Sequence, residues 1–329
     1  MKDEKRMSSY SYQLAVAADQ NIKDGEYWLN KLSGNLIRSH FPYDYKKEAP
    51  KVTNPSQYAV HMQTEKFRFP GALTSKLMKL SKGEGIDIKL HIILVTGLFI
   101  LLNKYTGHTD IMVGSPILKQ EVQREFINTI LVFRNEVKKN TSFKNLLLQV
   151  RETIIQANTH QNYPMEKILE QLNMPMVGNE SPLFDVVILL ENIYDKRFIQ
   201  DIHCNMIFSF QRTDEAIEGV LHYNPLLYHE NTIRKIIRHY THILHQSLAT
   251  LDCPLSEIQI LSKEDKTQIL GDFNKKTFLY SRDKTLVALF AEQVEKTPHH
   301  YACFAKGKGM TYKELHHQSN ILAKIIREL

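Results

Sequence analysis

From Leu90 to Leu102 the chain reads LHIILVTGLFILL, its longest apolar run. His91, Thr96 and Gly97 interrupt it, and it stops short of the roughly 20 residues that a membrane span requires. The run therefore predicts a helix buried on every side, and a chain that owns such a helix must supply other elements to cover it. The 329 residues leave room for them, as two average domains or one large domain with appendages. A hydrophobic content of 43% and a charged content of 24% are ordinary for a globular protein.

The covering elements are legible in turn. HMQTEKFRF (61–69) alternates like a strand. GALTSKLMKLSKGEG (71–85) has a helical period with Leu73, Leu77 and Leu80 on one face and a Gly stop. The apolar helix follows, ending at Gly107. DIMVGSPI and FINTILVFRNEV are rich in β-branched residues and read as strands. SFKNLLLQVRETIIQANTH (142–160) reads as a helix capped by Ser142. Pro164 opens a short helix, PMEKILEQL, in keeping with the preference for Pro in a first turn. LFDVVILLEN, HCNMIFSF and AIEGVLHYNPLLY are three more strands, with Asp185 and Glu191 expected as surface or edge charges. NTIRKIIRHYTHILHQSLA is an amphipathic helix opened by Asn231. Helices interleaved with strands, some of them adjacent in sequence, imply an α/β sandwich with a mixed sheet. Residues 1–55 are polar and weakly periodic, with a helical turn or two around GEYWLNKLSG. After residue 250 the chain reads as a polar linker. A helix LVALFAEQVEKTP ending at Pro298, two short strands separated by a turn at GKG (307–309) and a last helix follow.

Charge and cysteine usage exclude several classes. The net charge of +6 is diffuse, with basic and acidic residues alternating as in KDEKR and SKEDK, so no stripe for nucleic acid is expected. MKDEKRMSSYSY has no apolar core and is not a signal peptide. Cys204, Cys253 and Cys303 are odd in number and far apart, which points away from a disulfide framework and toward a reducing cytoplasm. His203–Cys204 lacks ligand spacing, so no metal site is expected.

In this order the segments resemble a junction in a nonribosomal peptide synthetase. EYWLNKLSG (26–34) is similar to the family's Tyr-Trp stretch, and SYQLAVA (11–17) dimly to the Tyr-x-Asp-Phe-Ala-Val-Trp motif before it. KYTGHTDIMVGSPI resembles Tyr-Thr-Gly followed by Asp-Ile-x-x-Gly-x-Pro. FINTILVFR (126–134) resembles Phe-Val-Asn-Thr-x-x-x-Arg, HQNYPMEKIL resembles His-Gln-Asp-x-Pro-Phe-Glu-x-Leu, and SPLFDVVILLEN resembles Pro-Leu-Phe-x-Val-x-Phe. LFAEQVEKTP and MTYKEL resemble the opening of an adenylation (AMP-binding) domain. The resemblance implies the C-terminal lobe of a chloramphenicol-acetyltransferase-like (CoA-dependent acyltransferase) two-lobe sandwich. Residues 1–55 would be a remnant of the inter-lobe region, 56–250 the lobe, 251–284 a linker and 285–329 a truncated adenylation start.

In that family two carrier-tethered substrates meet in a tunnel between the lobes. A His-His-x-x-x-Asp-Gly motif of the N-terminal lobe deprotonates or positions the acceptor amine. Here His299-His300 precedes YACFA and His316-His317 precedes QSNIL, so neither pair has Asp-Gly at the required spacing. General acid–base catalysis requires its group within about 2.6–3.2 Å of the proton it moves, and no catalytic residue is assigned in this chain. An exposed inner face of the lobe would favour association with another chain. The adenylation-like part has no phosphate-cradling motif, so ATP binding is not expected. Two departures bear on substrate handling. Arg124 stands where the family has a Gly before Phe/Tyr-Phe, and MVGNE replaces a stretch with two arginines.

The family-motif residues that carry over are Asn128, Arg134, His160, Gln161, Pro164, Pro182 and Phe184. Asn128 resembles a residue near the acceptor side of the tunnel, and the alternative is a strand Asn that satisfies neighbouring backbone. His160, at a helix C-terminus, either meets unsatisfied carbonyls and joins two elements or serves as a general base, and joining is favoured. Pro182 and Phe184 read as strand-start and core residues. The implied function is a synthetase fragment, inactive alone, whose parent joins aminoacyl and peptidyl thioesters through an amide bond. It binds no cofactor itself, and phosphopantetheine sits on partner carrier proteins. Alternatives are a split enzyme whose other chain supplies the missing lobe, a non-catalytic carrier-docking module, or, most distantly, an acyltransferase built around His160. Neither nucleic acid nor membrane is an expected partner.

Overall fold

The computed structural model describes residues 12–45, 62–118, 128, 130–174, 181–195, 197, 204–271, 284–305 and 307–329. Arg124, the MVGNE stretch, His203 and residues 126, 127 and 129 of FINTILVFR lie outside them. The chain divides into two compact units, Met1–Lys266 and Thr267–Leu329.

The first unit is built on a six-stranded sheet. Its strands are β1 (Gln63–Arg68), β2 (Asp110–Pro116), β3 (Ile130–Glu136), β4 (Val186–Leu190), β5 (Met206–Arg212) and β6 (Ile217–Tyr223), in the order β1-β6-β5-β4-β2-β3. β4 lies parallel to β2 and β5, and the other pairs are antiparallel. The sheet is therefore mixed. Every residue of β4 is buried, as a VVILL sequence covered on both faces requires. β1 is an edge strand of alternating exposure.

The helices are α1 (12–20), α2 (Ile22–Lys31), α3 (Gly71–Ser81), α4 (Ile86–Thr106), α5 (Phe143–Thr159), α6 (Met165–Gln171), α7 (Glu230–Ser247) and α8 (Lys263–Leu270). The apolar run lies in α4. That helix has 21 residues, longer than the run, and by length and composition alone it could cross a membrane. Every residue from Leu90 to Leu102 is instead buried, with α3, α5, α7 and the strands β2 and β4 packed around it. The helix stops at Gly107, whose φ of 74° few other residues tolerate and whose N–H bonds the carbonyl of Asn103. Ser142 caps α5 by accepting from the Asn145 N–H, as its sequence position suggests.

Three local expectations are corrected. Leu80 is exposed, and α3 buries Leu73, Thr74, Leu77 and Ser81, a stripe turned around the helix toward Thr74 and Ser81 from the one the leucine spacing implies. The cap of α7 is His229, whose Nδ1 accepts from the Asn231 N–H. Asp185, expected as an edge charge, is fully buried.

The segment after α7 also contributes to the core. Leu255 and Ile258 are buried, Pro254 bridges to Ser142, and the Lys104 ammonium donates to the Leu255 carbonyl at 2.8 Å. The second unit comprises α9 (Leu286–Lys296), β7 (Tyr301–Ala305), β8 (Lys308–Thr311) and α10 (Tyr312–Glu328), with Gly307 turning the β7–β8 hairpin. Thr311 and Glu314 form a capping box on α10. Neither α9 nor α10 buries a side chain, and Leu286, Val287, Leu322 and Ile326 stand exposed.

Asp185 owes its burial to partners brought from distant segments. Oδ1 accepts from Arg38 Nη2 at 2.8 Å and from Asn205 Nδ2 at 2.7 Å, and Oδ2 accepts from the Tyr43 hydroxyl at 3.1 Å. Asn205 in turn accepts from Asn224 Nδ2 at 2.8 Å. Burial raises the Asp185 carboxyl above its ordinary range, while Arg38 acts against the rise. Next to Arg38, Ser39 enters the sheet as a wedge: its carbonyl accepts from the Asp185 N–H at 3.1 Å and its hydroxyl from the Met112 N–H at 2.9 Å. Removing one partner of a buried ion pair leaves the other uncompensated. Asp185→Ala is expected to cost about 3–5 kcal/mol in denaturant unfolding at neutral pH.

His91 is buried in α4, 4.7 Å from the Tyr194 ring, with Nε2 3.5 Å from the Ser115 hydroxyl. Burial pulls its pKa down to about 3. The folded state therefore holds the ring neutral while the unfolded chain protonates near 6.5. This contribution to stability is complete above that value and falls by about 1.4 kcal/mol per pH unit as pH drops toward 3. Thermal unfolding followed from pH 7 to 4 should show that slope, and His91→Leu should flatten it.

Candidate functional site

The family-motif residues gather where α2, the start of β3 and the turn between α5 and α6 meet. His160 closes α5, its N–H bonded to the Gln156 carbonyl at 3.0 Å. Its ring stacks on Tyr27 with centroids 4.2 Å apart, and Nδ1 lies 2.9 Å from Asp24 Oδ1. Its carbonyl accepts from the Trp28 indole at 2.7 Å, and Trp28 is fully buried. Burial and the nearby Glu152 raise the Tyr27 hydroxyl to about 12, so it stays protonated. One histidine thus carries three contacts to α2. Nε2 has no partner among the described residues.

Asn128 organises the turn that follows. Its Nδ2 donates to the Gln161 and Tyr163 carbonyls, both at 2.7 Å, and its Oδ1 accepts from the Met165 N–H at 2.9 Å. Pro164 occupies the cap position of α6 and has no side-chain acceptor. The amide of Asn128, 37 residues before Met165, supplies the missing acceptor. Gln161 contributes its backbone to this arrangement. Gly25 on α2 lies so close to Tyr163 that a Cβ there would fall 2.6 Å from the ring.

Arg134, at the other end of β3, is fully engaged. Its Nε and Nη2 grip Asp110 at 2.9 and 2.7 Å, and Nη1 donates to the Lys31 and Ser33 carbonyls at 2.9 and 2.7 Å. The guanidinium closes the C-terminus of α2, where carbonyls lack intrahelical partners. Phe184 is buried against Gly114, where a Cβ would meet its ring at 2.5 Å, and Pro182 is half-buried. These two residues lead into Asp185 and stand apart from the His160–Asn128 cluster.

Sequence reasoning missed Asp24, Arg38, Tyr43, Asn205 and Asp185 as polar partners. Asp24 lies 136 residues from His160 and Arg38 lies 147 from Asp185, so no local pattern announces either pair. The arrangement fixes a turn and a helix to the sheet, and among the described residues Nε2 of His160 has no partner. No group of three or more His, Cys, Asp or Glu side chains converges as a metal site among the described residues.

The Asn128 geometry can be tested by charge. Asn128→Asp would set a carboxylate against the Gln161 and Tyr163 carbonyls. It should destabilise more than Asn128→Ala, which leaves the three backbone groups unpaired at about 1–3 kcal/mol each if they stay dry. Denaturant unfolding and amide exchange at Met165 would show the order.

The chain is 29% identical over 337 residues to surfactin synthase subunit 1 of Bacillus subtilis (strain 168), covering 97% of this chain and 9% of the relative. Among solved structures, holo-AB3403, a four domain nonribosomal peptide synthetase bound to AMP and glycine, superposes with a TM-score of 0.71. The match is at 17% identity and covers 93% of this chain and 25% of that one. The X-domain in its complex with OxyB from teicoplanin biosynthesis superposes with a TM-score of 0.60 at 20% identity, over 73% of this chain and 55% of that one. The chain spans less than a tenth of the curated relatives it matches. Residues 3–270 match the Condensation domain family, and the chain belongs to it.

Proposed function

We propose that residues 56–250 form the acceptor-side, C-terminal lobe of a condensation domain of a nonribosomal peptide synthetase. Residues 285–329 would begin an adenylation domain, with 251–284 between them. The observation that carries this reading is the family match over 3–270 in a chain whose two His-His pairs both lack Asp-Gly at motif spacing. The apolar side chains exposed on α9 and α10 support a second unit that packs against further structure.

In the reaction proposed for the complete domain, an aminoacyl amine attacks the carbonyl carbon of a peptidyl thioester. A C–N bond forms, the C–S bond breaks, the amine loses a proton and a phosphopantetheine thiol leaves. Carrier proteins hold both substrates, and this chain holds no cofactor. Its residues shape one wall. Asn128 and the His160 contacts fix the turn, Arg134 fixes α2, and a histidine of the other lobe handles the proton. The fragment is therefore inactive alone.

A condensation assay with loaded donor and acceptor carrier proteins tests this reading. Amide product should appear only when a polypeptide bearing the His-His-x-x-x-Asp-Gly lobe is added, and turnover by the chain alone would overturn it. Co-purification of such a polypeptide would favour the split-enzyme form. A second reading, a docking module without catalysis, draws on the likeness to an X-domain described in complex with another protein. It predicts carrier or partner binding with no amide even after complementation.

A further inference from the structure

His239, on α7, stands at a junction that the condensation reading leaves unused. It is 8% exposed. Its Nδ1 lies 2.7 Å from the Tyr105 hydroxyl near the end of α4, and its Nε2 lies 3.4 Å from Asp265 Oδ2 in the first turn of α8. Nε2 is buried and has no hydrogen-bond partner. Three side chains in a row thus join three helices. The division between the two compact units falls between Lys266 and Thr267, inside α8, so the row acts on the helix through which the chain leaves the first unit.

The proton inventory of the row is fixed by its ends. A carboxylate only accepts, so the proton of a neutral imidazole belongs on Nε2, facing Asp265, and Nδ1 is left to accept from Tyr105. Burial raises the Tyr105 hydroxyl far above its ordinary value, with Asp265 and Asp44 adding to the rise and Arg238 opposing it, so the hydroxyl keeps the proton it donates. A second proton on the ring would set an Nδ1–H against that O–H across 2.7 Å.

Asp265 can offset little of this, because its oxygens are committed elsewhere. Oδ2 accepts from the Ser262 N–H at 3.1 Å while the Asp265 N–H donates to the Ser262 hydroxyl at 3.1 Å, a reciprocal cap at the head of α8. Oδ1 accepts from Arg238 Nη2 at 3.4 Å. Drawing the carboxylate toward the ring would break the cap. Burial acts to raise the Asp265 carboxyl, but the Ser262 bonds hold it below its ordinary range, so it stays charged at mildly acid pH. Arg238 and His242 bring further positive charge from α7 itself, and burial outweighs the pull of Asp265, so the His239 pKa is lowered. Opening α8 would return the ring to water and remove the burial that disfavours its charge.

We propose that Tyr105, His239 and Asp265 form a proton-operated clamp, which holds the first turn of α8 against α7 while the imidazole is neutral and releases it when the ring is protonated. The clamp goes beyond the proposed condensation role and does not rest on it. Its sign follows from linkage: docking is complete above the ordinary histidine value of 6.5 and is lost as pH falls below it.

The test is hydrogen–deuterium exchange of the full 329-residue chain between pH 7.5 and 5.5, with rates corrected for the intrinsic pH dependence of exchange. Protection of the α8 amides should fall by up to about tenfold per pH unit below 6.5, the ceiling for one linked proton. The β4 amides, read in the same samples, report global unfolding and should lose less protection than α8. His239→Gln, which carries no titrating ring, should make α8 protection independent of pH over this range. Tyr105→Phe, which removes the donor to Nδ1, should reduce the pH dependence, and it serves as the test if the glutamine variant does not fold. Imidazole nitrogen shifts of the unaltered chain at pH 7.5 should place the proton on Nε2. Protection of α8 that is flat or rises on acidification, that falls in step with β4, or that keeps its pH dependence in the variants would overturn the proposal, as would a proton on Nδ1. None of these readings involves amide formation, so failure here and failure of the condensation reading are separable.

Discussion

A carboxylate with no surface in water is tolerated only where charge and hydrogen bonds converge on it. Asp185 meets that condition through Arg38, Tyr43 and Asn205, and the requirement organises much of the first unit. It pulls residues 38–43 onto the start of β4, sets Ser39 between β2 and β4, and aligns the starts of β4 and β5. The Asn205–Asn224 bond extends the same network to the end of β6. Apolar burial around α4 drives collapse, yet it is indifferent to which strand lies where. The buried polar chain is specific, because each member has a partner only in one arrangement.

The same logic explains the His160 turn. A proline at the head of α6 fixes backbone direction but brings no acceptor for the first free N–H groups. Asn128 supplies one and spends its two amide protons on the carbonyls just before. Arg134 does the equivalent for the last carbonyls of α2. Two helix ends are thus finished by side chains from opposite ends of β3. A motif residue that looks available for chemistry in the sequence can be consumed by such tertiary capping.

What was legible in the sequence follows the range of the interaction. The buried α4, its stop at Gly107 and the Ser142 cap rest on period or on contacts a few residues apart, and the mixed character of the sheet shows in the order of helices and strands along the chain. Leu80 misled because leucine spacing marks a face without fixing where its centre lies, and Thr74 and Ser81 are buried in its place. Asn231 misled because a histidine two residues earlier takes the cap position and accepts the N–H of Asn231 itself. Asp185 misled more deeply. A charge inside a β-branched run reads as solvent-facing unless its counter-ion is visible, and Arg38 is not. The cluster around His160 was findable as a set of motif residues, but Asp24 was not, and without Asp24 the orientation of the imidazole has no cause.

The wedge at Ser39 has a consequence for the order of assembly. β2 and β4 share a single register pair, Gly114 with Val187, and below it the space between them is filled by a segment that a ribosome would make long before β4. β1 likewise waits for β6, made some 160 residues later. During synthesis, then, α3, α4 and the β2–β3 hairpin can form from near neighbours, while their sheet partners do not yet exist. The early half must hold its apolar helix beside an incomplete sheet until the strand beginning at Val186 emerges. Slow, non-local closure of that kind makes the nascent chain a candidate for chaperone protection over that interval.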